Sequence, residues 1–280
     1  MEQDYYIKNN ISKFIEISGD DRTNFLQGLI TNDINQCHQN NIGIYSCLLS
    51  PQGKFLADFF IVDFKDRYLI EIHEKFFESF YTKLKLYKLR SKVNFKENNN
   101  LLSLVIFLKD SLNFKEDTIF FTDPRSYNLG IKVYINKNSN DLELINKLKK
   151  CDFQVYEKNL IKNLIPNASK DLIENKSLLL ENNFQNINAI DWDKGCYIGQ
   201  EITARMKYRA LLKKKIYVLE LIDGDINPGE DILENGVMIG SAISKVGKYI
   251  LCMLKINLTE NIKLNKEKII INSSTEIRFL

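Results

Sequence analysis

One cysteine stands apart from the other four by its neighbours. Cys196 lies in Lys194-Gly195-Cys196-Tyr197-Ile198-Gly199-Gln200-Glu201, between two glycines and just ahead of a stretch, Gln200 to Tyr208, with helical character. Gly195 and Gly199 permit tight turns or the close approach of a ligand. With a helix starting near Gly199, the thiol sits just before a positive helix end, and Lys194, Arg205, Lys207 and Arg209 are close in sequence. Both effects favour the thiolate and are expected to draw this thiol below the free value of about 8.5. Redox or transfer chemistry is open to such a sulfur. The ordinary fate of a free cysteine is to be a buried small hydrophobe. That reading is favoured for Cys37, Cys47, Cys151 and Cys252, whereas the surroundings of Cys196 favour function.

Other residues could serve a ligand. Asp58 lies inside the apolar strand FLADFFI, where an acid is costly unless paired, although alternation also permits an outward-facing position. Trp192, the only tryptophan, could stack on a ring, but a single Trp is more often core. Arg90, Arg125 and Arg205 suit bidentate capture of a carboxylate, with structural pairing at least as good a reading for Arg90 and Arg125. Glu201 and Arg205 stand at i,i+4. Lys213-Lys214-Lys215 could touch RNA phosphate, but a solvated strand start is the better reading of three lysines in a balanced protein. The five cysteines are odd in number, contain no CxxC pair and are irregularly spaced, and there are two histidines, His38 and His73. A disulfide framework and a zinc site are both disfavoured, and no metal is expected.

The elements that must position these residues can be read from period and turn chemistry. Ile11 to Ile17 reads as a strand, followed by turn and N-cap chemistry at Ser18-Gly19-Asp20-Asp21 and a helical stripe through Phe25, Leu26, Leu29 and Ile30. Ile44 to Ser50 and Lys54 to Phe64 form a hairpin about Pro51-Gln52-Gly53, and Tyr68 to Ile72 is a further strand. Phe76, Phe80, Leu84 and Tyr87 share one face of a helix over Lys75 to Arg90. Val93 to Phe95, Leu101 to Leu108, Thr118 to Phe121 and Ile131 to Ile135 return to strand. Asp141 to Lys150 and Tyr156 to Leu164 read as helices, the second ending before Pro166. From Lys213 onward short strands alternate with turns: Lys215 to Ile222, Asp231 to Glu234, Val237 to Val246, Tyr249 to Ile256 and Lys268 to Asn272. This suggests a small antiparallel barrel. Upstream, strands and helices mix without strict βαβ alternation, so the class is α+β.

The chain has 280 residues, with 39 basic and 36 acidic residues and a net charge of +3. That length suits two or three domains. Usage is 44% hydrophobic and 27% charged, which excludes disorder. The balance is not that of a nucleic-acid-coating protein. No run approaches the ~18 apolar residues of a membrane span, and the start MEQDYYIKNN lacks the features of a secretory or transit signal. The expected location is a reducing cytoplasm, with free thiols and no membrane partner.

KGCYIGQE, followed by TAR, resembles the signature of the YgfZ family, folate-binding proteins of iron–sulfur cluster assembly and repair related to the glycine cleavage T-protein. FIEISGDDRTNFLQGLITNDI, LLSPQGKFLADFFI, YKLRSKV, DPRSYNLG and LLLENNFQNINAIDWDKGCYIGQE resemble family segments in family order. The resemblance implies a T-protein-like folate-binding fold: residues 1–209 as a folate-binding region, in two α/β lobes of roughly 1–110 and 111–209, then a barrel over 210–280. It implies tetrahydrofolate or a one-carbon derivative as cofactor, and iron–sulfur client proteins as partners, including those that modify tRNA, with tRNA itself a further candidate. Cys196 would be the reactive thiol; it could not hold a cluster alone, since clusters take about four thiolates. Asp58 and Glu181 match the acids that meet the pterin, and a carboxylate accepts well from paired N–H donors. Tyr197, Gln200, Arg205 and Trp192 complete the candidate ligand-binding set. YEKNLIKNLIP departs from the family pattern, with Leu160 and Leu164 where an Arg and then a Gly usually stand. Whether the chain turns over a substrate stays open; a folate-dependent one-carbon or thiol-mediated transferase, an aminomethyltransferase of glycine cleavage, and a non-catalytic tRNA or protein adaptor are the alternatives.

Overall fold

The structure, a computed structural model, describes residues 4–38, 42–108, 112–114, 118–209, 211–265 and 269–280. In chain order its elements are β1 (Tyr5–Asn9), β2 (Ser12–Ser18), α1 (Arg22–Gln27), β3 (Gly43–Leu49), β4 (Phe55–Phe64), β5 (Arg67–His73), α2 (Glu74–Lys88), β6 (Asn94–Glu97), β7 (Leu101–Phe107), β8 (Ile119–Thr122), β9 (Ile131–Asn136), α3 (Leu142–Asn146), β10 (Lys149–Cys151), α4 (Phe153–Lys162), α5 (Ala168–Asp171), α6 (Gln200–Tyr208), β11 (Lys214–Asp223), β12 (Asp231–Glu234), β13 (Val237–Val246), β14 (Tyr249–Lys255), α7 (Ile256–Asn265), β15 (Ile269–Ile271) and β16 (Thr275–Phe279). They form a sheet ordered β3-β4-β5-β2-β6, a second ordered β10-β1-β7-β9-β8, and a closed barrel β11-β14-β13-β12-β15-β16.

The near-continuous apolar text of β4 reflects burial on both faces. Phe55 and Phe59 pack on α2, with ring centroids 5.5 Å from Phe76 and 4.8 Å from Phe80. Each such fully buried ring stabilises by about 1.5–3 kcal/mol. Helix α2 starts where the His73 ring accepts from the Lys75 amide at 3.0 Å. The opposite face of β4 carries Asp58 and Phe60. The register aligns these with Cys47 and Tyr45 of β3 and, for Phe60, with Glu71 of β5. This face turns toward the second sheet, as Phe60 lies 6.4 Å from Phe121 and Phe14 lies 5.0 Å from Tyr134, ring to ring. The seam between the sheets therefore holds polar as well as apolar side chains. On its far side the second sheet packs Leu104, Ile106, Val133 and Ile135 with Ile145 of α3.

The α+β class and the terminal antiparallel barrel are present as expected. Two local expectations change. Asp141 to Lys150 is not one helix. It is the short α3 followed by β10, which pairs parallel with β1 through Tyr5↔Lys149 and Ile7↔Cys151. Pairing at the sheet edge outweighs the weak local preference for helix. The barrel also has a strand the pattern did not signal, β16, which closes it on β11 through Leu219↔Phe279. The expected strand start at Lys268, and Ala210 at the expected boundary, lie outside the described residues. Among the described residues no helix is long and apolar enough to cross a membrane.

Helix α5 sits against β13 of the barrel. There Asp171 accepts from the Asn167 amide at 2.7 Å. Burial pushes its carboxyl up to about 6, with Glu157 also raising it and Ser244, the Asn167 amide and Lys170 opposing. The folded state thus binds a proton more tightly than the unfolded chain, whose Asp titrates near 3.9. Stability from this group is full below about pH 4 and falls as pH rises to about 6, by roughly 2–3 kcal/mol. Asp171→Asn should remove that slope and be the more stable protein at pH 7. Urea unfolding of both proteins from pH 4 to 7 checks this; a stability difference constant across the range would contradict it.

Candidate functional site

The signature stretch is built onto the end of α1. The last carbonyls of a helix lack partners within it. Here Lys194 supplies one: its ammonium donates to the carbonyls of Gln27 at 2.9 Å, Ile30 at 2.7 Å and Asn32 at 2.8 Å. Burial pulls this ammonium down to about 8, and Asp33 and Asp191 pull it back up. Thr31 donates to the Ala189 carbonyl at 2.6 Å and accepts from the Cys47 amide at 2.9 Å. Asn32 donates to the carbonyls of Tyr45 and Asn188. The Asp191 amide bonds the Thr31 carbonyl, and the Ile198 amide the Gly28 carbonyl. Asp191 also turns the chain by accepting from the amides of Asp193 and Lys194.

Gly199 is the residue that lets the stretch meet the first hairpin. It has φ +83, and a Cβ there would lie 2.4 Å from the Ser50 carbonyl oxygen. No side chain fits that approach. Across the contact Gly53 has φ +70, and its Cβ would meet Ile202 at 2.8 Å.

Between these anchors Cys196 is exposed. Gly195 beside it is exposed too, with open space where a Cβ would stand. Tyr197 on the other side is buried, its hydroxyl without a hydrogen-bond partner among the described residues, and its ring lies 5.1 Å from the Lys194 ammonium. Three of the four cations that sequence proximity assigned to the thiol have other engagements. Lys194 is on three carbonyls, Arg205 faces Glu201 at 3.5 Å, and Lys207 lies 3.8 Å over the Trp192 ring. Gln200 accepts from the Tyr197 amide at 3.2 Å and shapes the turn into α6. Trp192 is half-buried, 6.3 Å edge-on to Tyr208, and lines a surface groove of about 410 Å³ with Asp191 and Asp193.

Asp58 lines a cavity of about 80 Å³ in the seam, together with Phe60, Glu71, Arg125, Lys132 and Tyr156. Its Oδ2 accepts from the Tyr45 hydroxyl at 2.6 Å. Burial pushes the carboxyl up, while Tyr45 and Arg125 draw it down. The other charges on this wall are paired. Glu71 meets Lys132 at 2.8 Å, both buried, and accepts from Ser12, Ser103 and Tyr134. Desolvation would raise it, but Lys132 and these hydroxyls hold it below the usual carboxylate range. Arg125 is bidentate on Asp123 at 3.0 and 2.8 Å and also donates to Tyr156. Asp58 is thus the wall acid without a cation bonded to it among these pairs. Glu181 is elsewhere: its carboxylate faces Lys214 of β11 at 3.5 Å. Neither Glu181 nor Cys196 lines the Asp58 cavity. Signature and cavity wall are joined by hydrogen bonds: Lys194 donates to the Asn32 carbonyl, Asn32 to the Tyr45 carbonyl, and Tyr45 to Asp58. The pattern reading missed Glu71 and Lys132. The signal was there: each is a charge inside an apolar strand, YLIEI and IKVYI, as Asp58 is.

Two sheets packed through a polar seam, followed by a closed terminal barrel, define a fold of the glycine cleavage T-protein kind. It matches the crystal structure of glycine cleavage system aminomethyltransferase T from Bartonella henselae with a TM-score of 0.77, at 10% identity, over 99% of this chain and 85% of that one. No family model matches the chain. The iron-sulfur cluster assembly factor IBA57 homolog of Mycosarcoma maydis, titled mitochondrial, is 31% identical over 220 residues, 73% of this chain and 54% of its own length. The Mus musculus factor IBA57, also titled mitochondrial, is 25% identical over 229 residues, 74% of this chain and 63% of that protein. The tRNA-modifying protein YgfZ of Aliivibrio fischeri is 26% identical over 234 residues, 80% of this chain and 73% of that one. The chain belongs to the YgfZ/IBA57 family and has a T-protein-like fold. It spans about half the length of the first curated relatives it matches.

Proposed function

We propose that this chain is an assembly or repair factor for iron–sulfur proteins, enzymes that modify tRNA included. It binds tetrahydrofolate or a one-carbon derivative at Asp58 and acts through Cys196. The observation that carries the reading is the presentation of one exposed sulfur on a loop fixed by Lys194 on one side and Tyr197 and Gly199 on the other. Cys37, Cys47 and Cys252 are buried, and burial raises all three thiols. The names of the relatives supply the client class. Several relatives are titled mitochondrial, while the YgfZ name carries no compartment; a free thiol serves in either reducing setting.

The cavity residues fit a pterin edge: a carboxyl acceptor beside aromatic rings. The volume is far below the ~300 Å³ of a pocket that engulfs a drug-sized ligand, so Asp58 would meet no more than the edge of a pterin there. Glu181 is assigned instead to the barrel contact through Lys214. Asp58→Ala should weaken tetrahydrofolate binding by about 1.5–3 kcal/mol, the worth of a charge-assisted hydrogen bond. Calorimetry on both proteins tests the assignment, and an unchanged Kd would remove folate from this cavity.

A further inference from the structure

Two residues of the cavity wall act on each other before any ligand arrives. The Tyr45 hydroxyl donates to Asp58 Oδ2 at 2.6 Å. They stand on adjacent strands, Tyr45 opposite Phe60 and Cys47 opposite Asp58, so both side chains leave the sheet on one face. Tyr45 is fully buried. Its ring lies 5.0 Å from Phe60 and 5.9 Å from Phe184, and the Arg125 guanidinium lies 5.0 Å over it. Arg125 is itself fixed by Asp123 and Tyr156. The phenol therefore has nowhere to swing. Burial, with Asp58 and Cys47, keeps it protonated and a donor, against a smaller pull from Arg125.

We propose that Tyr45 is the positioning residue of this cavity: its locked phenol takes one oxygen of Asp58 and so turns the carboxyl that the other oxygen is left to accept from a heterocycle with an N–H edge. The identity of that heterocycle rests on the folate reading; the action of Tyr45 on Asp58 does not. The titratable groups around Asp58 are Tyr45 and Cys47 from β3, Glu71 and His73 from β5, Lys132 from β9, Tyr156 from α4, and Arg125 from the segment between β8 and β9; burial draws His73 below the usual imidazole range. Glu71 is bonded to Lys132 and Arg125 to Asp123, so neither changes charge where Asp58 titrates. Of these groups, the phenol is the one hydrogen-bonded to the carboxyl.

Tyr45→Phe keeps the ring and removes the bond. In the ligand-free 280-residue chain the Asp58 side-chain carbon is followed by carbon-13 NMR against pH. The midpoint should rise by about one pH unit in Tyr45→Phe, because one hydrogen bond that favours the carboxylate is gone. Calorimetry with tetrahydrofolate from pH 5 to 8 should show the same displacement. The pH at which binding is half lost moves up, and affinity below that midpoint falls about tenfold. A Tyr45 that merely fills space would lower affinity by one factor at every pH and leave the carboxyl midpoint unmoved, and that result overturns the proposal. If wild type binds no tetrahydrofolate at any pH, the folate reading fails, and the NMR midpoint alone decides for or against Tyr45.

Discussion

Lys194→Met is expected to destabilise the fold by about 3–5 kcal/mol. Methionine fills the channel but donates nothing, so three carbonyls, the buried ones of Ile30 and Asn32 and the half-buried one of Gln27, lose their shared partner. Each buried acceptor left unsatisfied costs about 1–3 kcal/mol, and partial collapse or water entry recovers some of the total. Lys194→Arg should not restore stability. A planar fork aims its donors in one plane, whereas the three carbonyls converge on a single point charge with three rotatable protons. Chemical unfolding of wild type and both variants at pH 7 is the measurement. A loss below about 1 kcal/mol for Lys194→Met would mean that the end of α1 finds its partners without this ammonium.

That expectation reverses the role the sequence pattern gives to Lys194. Read along the chain, a lysine two residues from a cysteine is a cation for the thiol. In three dimensions it points back to α1, a segment more than 160 residues earlier. Sequence distance carries no information about which way a side chain leaves a loop, and the need that Lys194 meets lies at a helix end that the local text does not display. Gly199 was more legible. A glycine at the mouth of a helix signals a backbone that other residues resist, and the structure gives the reason in its φ of +83 and the Ser50 carbonyl 2.4 Å from any Cβ.

Local periodicity carried the elements well where one force dominated. The stripe Phe76, Phe80 and Leu84 is the buried face of α2, and the hairpin about Pro51-Gln52-Gly53 joins β3 to β4. It carried less where a distant partner decides. Residues 149–151 are a strand because β1 lies alongside, and β16 exists because a barrel needs closing. For the site the same division holds. Asp58 could be singled out as an acid in apolar text. The seam it faces could not, because that seam is made by Glu71 and Lys132 on two different sheets, each acceptable only in the presence of the other.

Cys196→Ala is expected to separate folding from function completely. The side chain is exposed and its loop is held by neighbours, so unfolding free energy should change by less than about 0.5 kcal/mol. Tetrahydrofolate affinity should also stay, since Cys196 does not line the Asp58 cavity. What should vanish is the ability to restore the activity of an iron–sulfur enzyme in cells lacking their own factor of this family, by tenfold or more. Cys196→Ser tests the sulfur itself: an alcohol has the size but neither the redox nor the metal-binding capacity of a thiolate. A thiol titration of the native protein supplies the chemical control. One fast-reacting group should be present in wild type and absent from Cys196→Ala, with the half-buried Cys151 reacting more slowly in both proteins and the buried Cys37, Cys47 and Cys252 only on unfolding. Full restoration by the alanine variant, in the face of that lost reactive group, would place the working chemistry somewhere other than this sulfur. The Trp192 groove or the seam cavity would then have to carry the function by binding alone.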